Sequence, residues 1–335
     1  MLWLLASLSL TGTLGPEVQL APRGGFASAA HLQWDPSVAT DGTDFFVVWS
    51  DKRNEAQTHA TYGARIRRDG LVLDPAGIKL GPVHSDEVNA TYIGGGRYAI
   101  AWSFAGGIQA RILASDGTWA SPVIDVGGGY CSDISGANGR FAVTWYDGEI
   151  AVRRYDSNGT ALDAAPVQVS TGLTSGTTCA RIRADGSTPP AYLVEWRQGQ
   201  TLLSSYVGAT GAPGAPVTMH TGTGELVVHD VVHAGGPLFV SLFSDFDGGV
   251  SPLLARRYAI AMGHGAPETV WPGAAPTPWA AAGATGADGR VRSIFTLGDY
   301  GSGGFATNTL PLMSGGAFTP GPSAPQYLGD GLSMA

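Results

Sequence analysis

The chain has 335 residues, of which 44% are apolar, enough to bury a large core and too apolar for a disordered segment. Its net charge of −8 excludes a sequence-independent nucleic-acid binder, which needs surplus cations to neutralise phosphates. Only 14% of residues are charged, against 50 Gly and 21 Pro, a composition of turns and short strands rather than long helices.

Residues Met1 to Leu10 read MLWLLASLSL, an apolar run of the length of an export-signal core and too short to span a bilayer. Residues 1–15 are therefore read as a signal-like segment, although no Lys or Arg precedes the run and Pro16 follows it. The expected location is extracytoplasmic: secreted, periplasmic or at the cell surface. No other segment reaches 18 consecutive apolar residues, so no membrane span is expected. The basic residues are 17 Arg and 2 Lys, which with the Ala and Gly load matches a GC-rich bacterial genome.

From Asp35 the chain repeats itself. The first unit runs VATDG at 38–42, FFVVWSD at 45–51, YGARI at 62–66, the Asp69-Gly70 step and LDPAGIKL at 73–80. Four short runs rich in β-branched and aromatic residues, separated by steps that supply positive φ, predict four strands. The order recurs around Trp102, Trp145 and Trp196, and in weaker form around Phe243 and Phe295, at separations of 53, 43, 51, 47 and 52 residues. Four strands at a period near 50 is the pattern of a propeller blade, whose sheet buries both faces against its neighbours. The expected fold is all-β: a six-bladed β-propeller of four-stranded antiparallel blades over residues 16–320, followed by a Pro/Gly-rich tail at 321–335. Glu17-Val18-Gln19-Leu20 resembles the fourth-strand segments and is expected to close the last blade. Two stacked β-sandwiches are the weaker alternative, since sandwiches rarely show six-fold self-similarity.

The strings VATDG, FFVVWSDKR, YGARIRRDG and LDPAGIKL resemble the repeat of exported bacterial β-propeller proteins. The match is close over Asp35 to Leu80. The later units keep the Trp, or a Phe in its place in the last two, with the Asp-Gly or Asn-Gly turn and the Arg-bearing third strand, but lose the Asp-x-Arg that follows Trp49. The resemblance implies the fold and an extracytoplasmic life, and no particular activity.

Four Trp at equivalent places of second strands are read as inter-blade core rather than as a sugar platform. Asp51 and Arg53 share a face of an extended segment, where they could pair or together grip Tyr62-Gly63. His229-Asp230-Val231-Val232-His233 echoes a zinc-protease pattern, but that motif needs a helix and a Glu, and this segment falls on a strand. Ser115-Asp116-Gly117-Thr118-Trp119 is a compressed echo of the sialidase Asp-box with the wrong spacing. Cys131 and Cys179 precede the first strands of the third and fourth units at nearly equivalent positions, so one disulfide between them is expected.

Loops that lead into first strands and loops that join second to third strands gather on one propeller face. That face collects the candidate ligand-binding residues. Trp34, Asp35, Asp133 and His229, with Asp86, Glu87 and Asp230, come from the first set. Asp51, Arg53, Asn54 and His59 come from the long connection of unit one, Asp245 from unit five, and Asp299 and Tyr300 from unit six. An acidic face with aromatics suits a cation, a cationic partner or a hydroxyl-rich ligand. No catalytic set and no cofactor is expected, and calcium is the candidate ion. The expected function is an exported, monomeric, non-catalytic binding or adhesion module that recognises a protein or glycan at the cell surface. The alternatives are a carbohydrate-active propeller enzyme, a sialidase-like hydrolase or lyase, and a structural spacer.

Overall fold

A computed structural model describes residues 33–55, 58–173, 179–247, 252–259, 263–271, 277–285, 291–298, 305–314, 317–318 and 326–331. The signal-like segment 1–15, the strand expected at Glu17–Leu20, and Asp299 and Tyr300 lie outside these residues. Chain contacts divide the protein into two compact units, 1–168 and 169–335.

Unit 1 holds three antiparallel sheets. Sheet 1 is β1 (Gln33–Thr40), β2 (Phe45–Glu55), β3 (Thr58–Ile66) and β4 (Ile78–Val83). Sheet 2 is β5 (Ser85–Gly94), β6 (Arg97–Phe104), β7 (Gly107–Ala114) and β8 (Ile124–Gly127). Sheet 3 is β9 (Tyr130–Ala137), β10 (Arg140–Tyr146), β11 (Ile150–Asp156) and β12 (Val167–Gln168).

Unit 2 repeats the plan. Sheet 4 is β13 (Arg181–Ala184), β14 (Tyr192–Gln198), β15 (Thr201–Val207) and β16 (Val217–Thr221). Sheet 5 is β17 (Glu225–Gly235), β18 (Leu238–Phe246) and β19 (Leu253–Ala259), whose outer edge pairs with both β20 (Gly263–His264) and β21 (Glu268–Trp271). Sheet 6 is β22 (Thr277–Thr285), β23 (Val291–Gly298) and β24 (Phe305–Ser314), flanked by β25 (Ala317–Phe318) and β26 (Gln326–Gly331). In every sheet the first three strands pair in sequence order, and the fourth returns antiparallel to the outer edge of the third. This arrangement of six small sheets departs from two large sandwich sheets.

The last strand corrects one expectation. Residues 321–335 read as a tail, yet Gln326–Gly331 pairs with β24 from Phe305↔Gly331 to Thr309↔Gln326. The Pro-rich stretch before it marks a connector, but Tyr327 and Leu328 are strand formers, and the outer edge of β24 offers unpaired amides to them.

In sheets 1 to 5 the second strand is buried on both faces, which explains runs such as FFVVWS and YAIAWS. In β2, Phe46 and Val48 pack toward sheet 2, in a cluster with Tyr98, Ile100 and Trp102. Val47 and Trp49 point the other way, with Ala60, Tyr62 and Ala64. Trp145 packs in the same manner on sheet 2, with Ala99, Ala101 and Ile112. Gly127 is required there, because a Cβ would lie 2.7 Å from the Trp145 ring. Trp49, Trp102, Trp145 and Trp196 are all at most 3% exposed.

A further repeat element pairs third strands with the loops after them, nine residues on. Arg65 N, Nε and Nη2 all donate to the Asp74 carboxylate at 2.8–2.9 Å. Arg154 repeats this on Asp163, with side chains only 5% and 8% exposed. In sheet 2 the acceptor is Ser121 Oγ, 2.9 Å from Ile112 N. These bonds fix the returning loop on the sheet edge. The Asp-Gly steps form Asx turns: Asp41, Asp116 and Asp185 each accept from the amide two residues on at 2.8–2.9 Å.

Candidate functional site

One end of sheet 1 meets the start of sheet 2. The junction is a single residue, His84, held at φ +63 with its amide on His59 O at 2.7 Å. First strands here carry a bulge: register shifts fall between Trp34 and Ser37 in β1 and between Asp86 and Asn89 in β5. A bulge re-aims the side chains around it, which is why such irregularities mark sites at sheet ends. Asp35 and Glu87, inside these bulges, have φ of +50 and +49.

Asp86 is the centre of the cluster. Its Oδ1 accepts from Trp34 Nε1 at 2.8 Å, Ser50 Oγ at 2.8 Å and Glu87 N at 2.9 Å. Trp34 and Ser50 face each other across β1 and β2, so the pairing register delivers both donors to one oxygen. Oδ2 lies 3.8 Å from His59 Nε2, and the carboxylate is 36% exposed. The His59 ring meets Trp34 edge-on at 5.4 Å and His84 at 5.7 Å. The Lys52 ammonium lies 5.5 Å from the Trp34 ring centre. The result is a half-buried indole fixed at its N–H, an imidazole at its edge, and a carboxylate with one oxygen turned outward.

Asp51 and Arg53, two residues away in the same sheet end, are spent internally. Asp51 Oδ2 accepts from Trp49 Nε1 at 2.9 Å, Gln33 Nε2 at 3.2 Å and Arg53 Nη2 at 2.6 Å, and the residue is 2% exposed. The Arg53 guanidinium stacks over Tyr62 at 4.0 Å and donates to Ala76 O. Gly77, at φ +72, leaves room for it, since a Cβ would come within 3.4 Å of both Nη atoms. This pair holds the long connection of sheet 1 rather than facing a ligand. Asn54 lies within β2, so the long loop expected there is strand up to Glu55.

Glu87 ties sheet 2 to sheet 3, with Oε2 accepting from Ser103 Oγ and Cys131 N, both at 2.7 Å. Asp133 is 3% exposed and accepts from Ile134 N at 2.9 Å, so it is buried in the strand rather than displayed. Neither cysteine is a free thiol; Cys131 and Cys179 are both disulfide-bonded.

In unit 2 the candidates occupy separate places. His229 is buried, with Nε2 2.8 Å from Ser244 Oγ, and burial pushes its imidazole down to about 4, so it is neutral at physiological pH. His233 lies four residues along β17 with Nε2 against Gly236 O at 2.8 Å. The two imidazoles of the echoed zinc pattern are thus engaged separately. Asp230 joins three sheets, accepting from Arg183 Nη2 at 2.5 Å, Val231 N at 2.8 Å and Gly283 N at 2.9 Å. Asp245 is 3.2 Å from His220 Nε2 and accepts from Gly224 N at 3.2 Å. In the Asp-box echo, Ser115 O accepts from Arg65, and Trp119 lies under Arg111 at 3.9 Å, a structural turn.

The structure brings together Trp34, His59 and Asp86, three of the many residues expected at this sheet end. Ser50, Lys52 and His84 also join the cluster, and their signals in the sequence were weak: a Ser and a Lys within one strand and a single residue in a connector.

The sequence matches no protein-family model and no curated protein. The fold does match solved structures. A protein from Lactobacillus plantarum aligns with a TM-score of 0.54 at 13% identity, over 96% of this chain and 89% of that one. The fucose-specific lectin from Aleuria aurantia aligns with a TM-score of 0.53 at 11% identity, over 85% of this chain and 94% of the lectin. AofleA from Arthrobotrys oligospora gives a TM-score of 0.53 at 8% identity, over 88% and 86% of the two chains. At these identities the likeness is one of fold: this chain shares an all-β architecture with the fucose-specific lectin.

Proposed function

We propose that this chain is an exported, non-catalytic glycan-binding module, with its six sheets serving as the blades of a six-bladed propeller. The observation that carries the reading is the Trp34–His59–Asp86 cluster. Sugar recognition needs an aromatic face for the C–H side of a pyranose and a fixed acceptor for its hydroxyls. Trp34 supplies the face, the outward Asp86 Oδ2 supplies the acceptor, and three donors on Oδ1 hold the carboxylate in place. The neighbouring acids are consumed by fixed internal bonds, Asp51 by Arg53 and Trp49, and Glu87 by Ser103, which supports binding over turnover. The fold likeness to a fucose-specific lectin agrees with this reading. Export rests on the apolar N-terminal segment, and a cell-surface glycan is the partner that location implies.

The test is a glycan array with the purified protein, run with and without calcium, while free sugar is monitored. Binding without sugar release, lost in Trp34→Ala and Asp86→Asn with unchanged thermal unfolding, is the expected result. Released sugar would turn the reading to a hydrolase or lyase. A silent array would leave a protein partner or a spacer.

A further inference from the structure

Unit 2 carries an open cavity of about 520 Å³ between sheets 4 and 5. Its walls are the β13–β14 turn with Asp185, Gly186 and Ser187, Tyr206 near the end of β15, and the β17–β18 turn with His233 and Pro237. The volume is that of a small-molecule site. Each polar wall is locked from behind. Tyr206 donates its hydroxyl to Asp185 Oδ2 at 2.6 Å, and Ser187 donates both N and Oγ to Oδ1 at 2.9 and 2.7 Å. His233 Nε2 donates to the Gly236 carbonyl at 2.8 Å, which fixes the ring against the turn. Gly186, at φ +73, allows the ring edge to lie against the turn, since a Cβ there would stand 3.2 Å from His233 Cε1.

The polar inventory of this cavity is one-sided. Burial disfavours the charge on Asp185, but hydrogen bonds from Tyr206, Ser187 and Ala191 outweigh it and hold the carboxyl below the usual carboxylate range. At neutral pH the cavity thus offers an anionic carboxylate and a phenol ring held by its hydroxyl. Such a set lacks donors of its own and attracts a donor that carries positive charge; an aromatic face adds cation–π attraction. We propose that this cavity binds a primary ammonium group on a small carbon frame, with Asp185 as counter-ion and Tyr206 as the ring wall. The inference is independent of the glycan site, because Trp34 and Asp86 belong to the other unit.

Isothermal titration of the full chain with glucosamine, N-acetylglucosamine and n-butylammonium tests it. Glucosamine is expected to bind at least about tenfold more tightly than its N-acetyl analogue, with affinity falling as salt rises. Butylammonium binding as tightly as glucosamine would locate recognition in the ammonium alone. A weaker butylammonium would assign part of it to the sugar ring, and both results support the proposal. Asp185→Asn should abolish binding. Tyr206→Phe, which keeps the ring and frees Asp185 Oδ2, should retain or tighten it, and Trp34→Ala should leave it unchanged. Thermal unfolding monitors the fold of each variant; if Asp185→Asn does not fold, Tyr206→Leu takes its place, with a loss of at least about fivefold expected. Equal affinity for the N-acetyl analogue, no binding by either amine, or an affinity for folded Asp185→Asn within twofold of the parent overturns the proposal.

Discussion

Sheets 1 and 4 place the same aromatic at the same register, Trp49 in β2 and Trp196 in β14, and surround it with opposite electrostatics. In sheet 1 the residue before the Trp is Val48, and the acid comes two positions after it. Asp51 there satisfies the indole N–H and is itself neutralised by Arg53. In sheet 4 position +2 is Gln198, and Trp196 Nε1 has no hydrogen-bond partner among the described residues. The acid has moved to the position before the Trp, inside the seam between sheets 4 and 5. Glu195 is fully buried, Oε1 accepts from Ser241 Oγ at 2.6 Å, and Oε2 is unpartnered among the described residues. Burial pushes its carboxyl up to about 8. A shift of three positions along one strand thus converts a paired anion that anchors a loop into a carboxylic acid that stays protonated.

The sharpest break of the contrast is Asp51→Ala. Removing this one carboxylate strands Arg53, the Trp49 indole and Gln33 together, and leaves a largely buried guanidinium without its counter-ion. A loss of about 3–5 kcal/mol in urea-unfolding free energy is expected. A loss under about 1 kcal/mol would show that Tyr62 and Ala76 alone hold Arg53.

Glu195 gives the pH signature. Its folded value of about 8 stands above the ordinary 4.5, because burial penalises the anion. Between those values the folded chain holds a proton that the unfolded chain has released, so unfolding free energy falls as pH rises. The benefit of the protonated state is complete at and below the unfolded value, and the penalty is fully in force above about pH 8. Glu195→Gln should flatten this part of the profile, with the variant ahead of the parent by a few kcal/mol at pH 9. Equal slopes in the two proteins would mean that the anion finds a partner in the seam.

The smallest effect is the finest test. Trp49→Phe loses an indole–carboxylate hydrogen bond and should cost about 1.5–3 kcal/mol. Trp196→Phe removes an N–H that is already without a partner and should fall within about 1 kcal/mol of the parent. A larger loss for Trp196→Phe than for Trp49→Phe, by thermal or urea unfolding, would reverse the comparison.

Much of the architecture was legible because each sheet is a local unit. Strands in sequence order need only local connections, so the Trp register, the Asp-Gly steps and the outer strands at Ile78, Ile124, Val167, Val217 and Glu268 all stand in the sequence at their places in the sheets. The last sheet was harder, since β26 follows a Pro-rich connector and pairs across a gap in sequence. The nine-residue Arg–Asp pairing of Arg65–Asp74 and Arg154–Asp163 was visible in retrospect. Among the described residues it occurs in sheets 1 and 3, with Ser121 in the acceptor's place in sheet 2, so no shared letter marks it.

The candidate sites were read less well than the strands. Asp51, Asp133, Asp230 and His229 all fall near the expected sheet end. Whether an acid faces water, though, depends on which neighbouring sheet supplies donors. Sequence position puts a residue near an edge, but bulges at Trp34/Ser37 and Asp86/Asn89 decide where its side chain points. By itself the sequence determined strands, turns, repeat and class, because these follow from two-residue alternation and local backbone preference. Tertiary structure alone decided that Asp86 meets Trp34 across 52 residues, that Glu195 lies dry against Ser241, and that Asp185 and His233 share a cavity. Those outcomes depend on the contact between one sheet and the next, where desolvation and pairing set the charge of every group, and no local pattern carries that information.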